Sequence, residues 1–133
     1  MVELEVVTPS RHVLRTEAES LIVPSTEGYL GIMHNHAPLV AGLAPGVLFY
    51  GKSGEEKERL ALTGGFLEVT DNKVTVLADA AELSGEIDVV RAEEARRRAE
   101  QRLRTRDEEI DYARAELAMQ RALIRLRAAG VEE

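Results

Sequence analysis

The chain has 133 residues, 44% hydrophobic but only 4% aromatic, with no Trp, no Cys and a net charge of −7. That length admits one compact domain or a small domain with an appendage, and the core it builds is aliphatic. The missing cysteines exclude disulfides and thiolate metal or redox chemistry, and the acidic balance excludes a general nucleic-acid binder.

Val2–Val7 alternates and is rich in Val, so it reads as a strand, ended by Thr8-Pro9-Ser10. Met1–Thr8 carries acids where a leader would be basic, and no apolar run approaches a membrane span. A soluble, intracellular protein is therefore expected, with docking onto a membrane complex left open. Further short strands are predicted at His12–Leu14, Ser20–Pro24, Leu30–Met33, Val47–Tyr50, Arg59–Thr63, Phe66–Thr70 and Lys73–Ala78. Turn signals separate them at Thr26-Glu27-Gly28, Ala44-Pro45-Gly46, Lys52-Ser53-Gly54, Gly64-Gly65 and Asp71-Asn72. Regular short strands with this punctuation predict an antiparallel β-sandwich or barrel, not a parallel α/β sheet.

The composition changes at Gly85–Asp88. Nine of the ten glycines and all four prolines lie at or before Gly85, whereas Asp88–Ala129 has neither. Residues 1–87 hold 6 Lys+Arg against 13 Asp+Glu; residues 88–133 hold 11 Arg, no Lys, and 11 Asp+Glu. The chain thus divides into a β-domain over 1–85 and a two-helix antiparallel hairpin over 86–133. Asp88 is placed to cap the first helix, in which Ala92, Ala95, Ala99 and Leu103 recur at helical spacing. Thr105-Arg106-Asp107-Glu108 matches a capping box, predicted to start the second helix, whose apolar stripe is Ile110, Ala113, Leu117, Ile124 and Ala128, ended by Gly130. Both stripes are Ala-rich and narrow, so little area is buried between the helices. At about 25 cal/mol per Å² such a hairpin is marginal without further contacts.

Three constellations bear on chemistry. Gly46-Val47-Leu48-Phe49-Tyr50-Gly51-Lys52-Ser53 satisfies the phosphate-loop pattern GxxxxGK[ST], but its middle is a β-rich apolar run. A phosphate loop needs a flexible turn opening a helix, so the match is rejected. His34 and His36 share one face if they lie on a strand, yet no third metal ligand stands at a recognisable spacing, so no metal site is expected. No nucleophile–base pair emerges, and no catalytic residue is assigned. The third constellation is Glu82, Asp88, Arg91 and Arg98 with Arg121 and Arg125. Folded as a hairpin, the two arginine faces converge in a way that suits a polyphosphate, with forked hydrogen bonds. Glu82 and Asp88 would accept from an adenine amine or ribose hydroxyls. On spacing alone a second reading stands beside this one: Asp88 is only a cap, and the arginines are a solvated face with i,i+4 partners.

The segments Gly28-Tyr29-Leu30-Gly31-Ile32-Met33-His34-Asn35-His36-Ala37-Pro38-Leu39-Val40, Gly64-Gly65-Phe66-Leu67-Glu68-Val69 and Val74-Thr75-Val76-Leu77-Ala78-Asp79-Ala80-Ala81-Glu82 resemble the ε subunit of bacterial F-type ATP synthases. Asp111-Tyr112-Ala113-Arg114-Ala115-Glu116-Leu117-Ala118 extends the resemblance over nearly the whole chain. It implies a β-sandwich followed by a helical hairpin and a noncatalytic place in the central rotor stalk. The partners would be the γ subunit, the c-ring and the α/β catalytic head, at the cytoplasmic face of the bacterial membrane. His36 would lie near the γ and c-ring contacts, whereas Tyr29 stands where some relatives carry an acid that would pair with the c-ring. The family motif I/L-D-x-x-R-A appears as Ile87-Asp88-Val89-Val90-Arg91-Ala92. The resemblance therefore implies a regulatory ATP site, with or without Mg²⁺, formed by Glu82, Ile87, Asp88, Arg91, Ala92, Arg98, Arg121 and Arg125. ATP would hold the hairpin folded, and its release would let the helices extend and inhibit hydrolysis. The alternative is a purely structural rotor module whose helices stay folded.

Overall fold

The computed structural model describes residues 1–105, 107 and 109–131. Ten strands come first: β1 (Val2–Val7), β2 (His12–Ala18), β3 (Ser20–Ser25), β4 (Gly28–Met33), β5 (Leu39–Leu43), β6 (Gly46–Gly51), β7 (Glu58–Leu62), β8 (Gly65–Thr70), β9 (Lys73–Ala78) and β10 (Ala81–Leu83). A single 3₁₀ turn at Ser84–Glu86 leads to α1 (Val89–Arg104) and α2 (Tyr112–Ala128). The strands form one sheet ordered β10-β7-β6-β3-β5-β8-β9-β1-β2, with β4 added to β3, and it wraps into a sandwich.

The register follows from alternation. Leu4 and Val6 of β1 pair with Val74 and Val76 of β9, and Val76 and Val74 pair in turn with Leu67 and Val69 of β8. All six side chains are buried, so the period-2 pattern of each strand adds to one aliphatic layer. The β1–β9 pair is parallel, the one departure from the antiparallel expectation among the strand pairs. Between β8 and β9, Asp71 and Asn72 both take positive φ, 47° and 60°, the left-handed geometry of a two-residue hairpin loop. Gly65, at φ 128°, is a steric necessity: an added Cβ would lie 2.0 Å from the Leu77 carbonyl oxygen.

Several expectations need correction. β5 and β10 are strands that the sequence does not announce, and β2 runs on to Ala18. β5 contains Gly42 and has Pro38 just before it; five antiparallel pairings with β8, from Leu39↔Val69 to Leu43↔Gly65, hold it extended despite that weak local preference. Thr105 caps the C-terminus of α1, donating its amide to the Gln101 carbonyl at 3.1 Å, and does not begin the second helix. Arg106 and Glu108 of the expected capping box lie outside the described residues. The second helix starts instead behind Asp111, whose carboxylate accepts from the Arg114 amide at 3.1 Å. The Tyr112 hydroxyl ties the connection, donating to the Thr105 carbonyl and accepting from the Asp107 amide.

The stripe of α2 is also displaced. Ala115, Ala122, Ile124, Leu126 and Ala128 are buried, whereas Ala113 and Leu117 are exposed and Ile110 precedes the helix. Two partners on different sides of α2 explain this. α1 takes one face, against which Ala92 and Ala99 are buried and Ala95 and Leu103 half-buried. The sandwich takes another, where Ile124 and Ala128 join Val47, Ala61 and Ile87 in a small second core. β6 and β7 are consequently covered on both sides: Leu48, Leu60 and Leu62 face the main core while Val47 and Ala61 face the helix. The unbroken apolar run Val47–Tyr50, which mimics part of a phosphate loop, is a strand buried on two faces.

Candidate functional site

Asp88 forms the N-cap of α1, its carboxylate accepting from the Arg91 amide at 3.1 Å. This fixes the phase of the helix, so Arg91, Arg98 and Arg102 emerge toward α2. In return α2 presents Arg121 and Arg125, and these five arginines, with Ala95, Ala99, Ala118 and Ala122, line one groove of about 230 Å³. The alanines let the two backbones approach between the arginine rows. A second groove of about 400 Å³ adjoins it between α2 and the sandwich. Its walls are mostly apolar, from Pro45, Ala61, Leu62, Ala80, Leu117 and Ile124, with Glu82 and the same Arg121 and Arg125 at the edge. Arg121 and Arg125 therefore border both spaces.

Glu82 comes from β10, in register with Ala61 on β7. Its Oε1 accepts from Arg125 Nε at 2.7 Å, an ion pair that joins sandwich to hairpin. The pair is partly exposed, so it is worth little as stability by itself; it sets the orientation of Arg125. The linker that leads into α1 is held separately. Arg11 donates to both carboxylate oxygens of Glu86, at 2.7 and 2.9 Å, and to the Ala81 carbonyl at 3.2 Å. The Arg11 hydrogen bonds hold the Glu86 carboxyl below its ordinary value, helped by the Leu83 amide and opposed by desolvation.

Of the eight residues expected at a nucleotide site, Glu82, Arg91, Arg98, Arg121 and Arg125 line the grooves. Ile87, Asp88 and Ala92 do not: Ile87 belongs to the second core, Asp88 is a cap, and Ala92 is buried in the hairpin contact. Arg102, Leu117 and the wall of Thr63 and Ala80 escaped the sequence reading. Arg102 was findable, lying four residues past Arg98 on the same face; the β-strand wall was not, because no periodicity links it to the helices.

His34 and His36 do not share a strand face. They follow β4 on either side of Asn35, which takes φ 60°. The imidazole of His34 meets Met1, while Nδ1 of His36 donates to the Ala37 carbonyl at 2.8 Å. Among the described residues no three His, Cys, Asp or Glu converge as metal ligands. Tyr29, 63% exposed, stands at the other end of β4 from the His36 loop. That loop leads into β5, whose Val40 forms an exposed apolar patch with Phe66 and Leu77, respectively 71%, 63% and 55% exposed on three adjacent strands. No helix among the described residues is long and apolar enough to cross a membrane.

The chain is thus a ten-stranded sandwich carrying a docked helical hairpin, with an arginine-lined groove between the two helices. The β-sandwich domain of the ATP synthase delta/epsilon chain matches residues 1–84, and the long α-helix domain of the same chain matches 86–130. The chain is 57% identical over 104 residues to the ATP synthase epsilon chain of Symbiobacterium thermophilum, covering 77% of this chain and 74% of that one. It is 55% identical over 106 residues to that of Syntrophomonas wolfei, covering 80% and 77%. A chain in the OSCP/F1/c-ring assembly of the Euglena gracilis mitochondrial ATP synthase superposes with TM-score 0.77 at 26% identity, over 96% of this chain and 80% of that one. One from the central stalk and c-ring of the Tetrahymena thermophila enzyme shares the fold, with TM-score 0.58 at 19% identity. The chain belongs to the ATP synthase delta/epsilon family, among its epsilon chains.

Proposed function

We propose that this chain is a noncatalytic subunit of the ATP synthase central stalk, whose hairpin is a nucleotide-controlled brake on ATP hydrolysis. One observation carries the reading: Arg91, Arg98, Arg121 and Arg125 share a groove because the hairpin is folded, and Arg125 is tied to the sandwich through Glu82. Separate the helices and the groove ceases to exist. A polyphosphate such as ATP, alone or with Mg²⁺, meets four guanidinium forks there, while the adjoining apolar groove accepts a base. A ligand that binds only the folded state shifts the population toward it by its differential affinity. When ATP falls, the helices leave the sandwich, and their arginines meet acidic segments of the α/β head while α2 lies along γ. The Val40–Phe66–Leu77 patch, continuous with the His36 loop, is the face offered to γ, and the Tyr29 end of β4 points to the c-ring. The subunit is thereby peripheral, at the cytoplasmic face of the bacterial membrane.

The purely structural reading has its own support. Ile124 and Ala128 seat on Val47, Ala61 and Ile87, and Glu82 holds Arg125, contacts made by the chain's own residues. Calorimetry on the isolated chain separates the two. Heat on adding ATP that disappears in Arg91→Ala and in Arg121→Ala supports the switch; heat that survives both removes the site. Truncation after Ile87 tests the brake, because hydrolysis by the assembled enzyme must rise.

A further inference from the structure

Arg59 lies on β7 opposite Phe49 of β6, and its guanidinium carbon sits 5.4 Å from the centre of the Phe49 ring. From that position one terminal nitrogen donates to the Arg127 carbonyl oxygen at 2.8 Å, in the last turn of α2. That end of the helix already has a complete cap of its own. Gly130 takes φ 82°, its amide reaches the Arg127 carbonyl at 3.0 Å, and the Val131 amide reaches the Leu126 carbonyl at 2.9 Å. The Arg59 bond is therefore additional, comes from 68 residues away, and exists only while α2 lies on the sandwich. A cation at this end also faces the negative pole of the helix dipole. Phe49, which carries the guanidinium, itself packs on the second core under α2. None of this touches the arginine groove: Arg59 borders a separate recess with Glu56, Lys57, Glu58, Ser84 and Ala128–Gly130.

We propose that Arg59 is a nucleotide-independent latch, gripping the carbonyl end of α2 so that the hairpin rests closed even when its groove is empty. The inference rests on the reading that the hairpin leaves the sandwich; it adds that release works against a standing bias built into β7. Stacking on Phe49 holds the fork in place, so that little side-chain freedom is lost when the carbonyl is gripped.

The chain has no cysteine, so a single thiol introduced as Val47→Cys, buried beneath the docked helix and outside both grooves, reports opening. Its rate of modification by a bulky reagent follows the open fraction. Without nucleotide, Arg59→Gln raises that rate about tenfold, the loss of one charge-assisted bond at a helix end. Arg59→Lys, which keeps the cation, recovers most of the protection. Equal rates for Arg and Gln overturn the latch. So does a Lys protein as open as the Gln one, since loss of packing would then explain both. Amide exchange at Leu4, Val6, Val74 and Val76 must match across the three proteins; faster exchange in the Gln protein also counts against the latch, because Arg59 would then be supporting the sandwich. If ATP fails to slow modification of the Gln protein while its nucleotide-free rate has risen, the nucleotide site falls and the latch stands.

Discussion

Ile124→Ala isolates the contact that holds the hairpin to the sandwich. Ile124 is 6% exposed and is grouped with Val47 of β6, Ala61 of β7, Ile87 of the linker and Ala128 of its own helix. The substitution removes three carbons, worth about 2.4 kcal/mol at ~0.8 kcal/mol for each buried methylene-sized group. Measured costs for such truncations run from about 2 to 5 kcal/mol, depending on the cavity left behind. This cluster is small and near the surface, so water and neighbouring side chains relax into the gap and the lower end applies. A value of about 2.5 kcal/mol corresponds to a shift of about 60-fold in the docking equilibrium. The loss falls on docking, because most of the partners of Ile124 in this cluster lie across the interface and the main core does not include it. The assay is the modification rate of the Val47→Cys thiol, expected to rise by that factor, with circular dichroism of the helices and amide exchange of β1 and β9 unchanged. A rate within a factor of three of the parent would refute the separation of the molecule into two cores. A general loss of exchange protection in the sandwich would refute it too, by showing that the hairpin and sandwich unfold as one unit.

Ala99 is fully buried in the hairpin contact; Ala99→Leu overpacks it at a cost of about 1–3 kcal/mol. Spin labels at Glu94→Cys on α1 and Gln120→Cys on α2, both exposed positions, are expected to show the two helices further apart than in the parent. Gly65→Ala drives a methyl onto the Leu77 carbonyl at a φ that L residues rarely adopt, so the midpoint of thermal unfolding of the whole chain should fall by more than 10 °C, whereas Gly28→Ala, in open space at another positive φ, costs less. The Arg11–Glu86 pair carries a pH prediction. Because the folded state holds the Glu86 carboxyl below its ordinary 4.5, its contribution is present above that value and is lost as pH falls through the lower, folded value. Carboxyl chemical shifts of Glu86 are expected to titrate below 4.5 in the parent and at a higher pH in Arg11→Gln; the same midpoint in both would show that the linker is not clamped.

Local sequence determined a good deal of this protein. Period-2 alternation in Val2–Val7 and Lys73–Ala78, the Asp71-Asn72 turn and the Ala-spaced run after Asp88 are written in residues within a few positions of one another, and each formed where its pattern lies. The helix faces carrying Arg91, Arg98, Arg121 and Arg125 were legible because each helix has its own spacing, whereas Glu82 lies on β10, a strand the sequence does not announce. The start of α2 was not, since Thr105 and Asp111 are both competent caps and only the Tyr112 hydroxyl, bonded back to Thr105 and Asp107, shows which turn belongs to which helix. Which face of α2 is buried, the strand identity of Leu39–Leu43, the apolar wall beside the arginines and the reach of Arg59 to Arg127 were decided by tertiary structure alone. Each depends on groups far apart in sequence, whose burial or pairing energy exceeds the local preferences of the residues concerned, and no single segment contains that information.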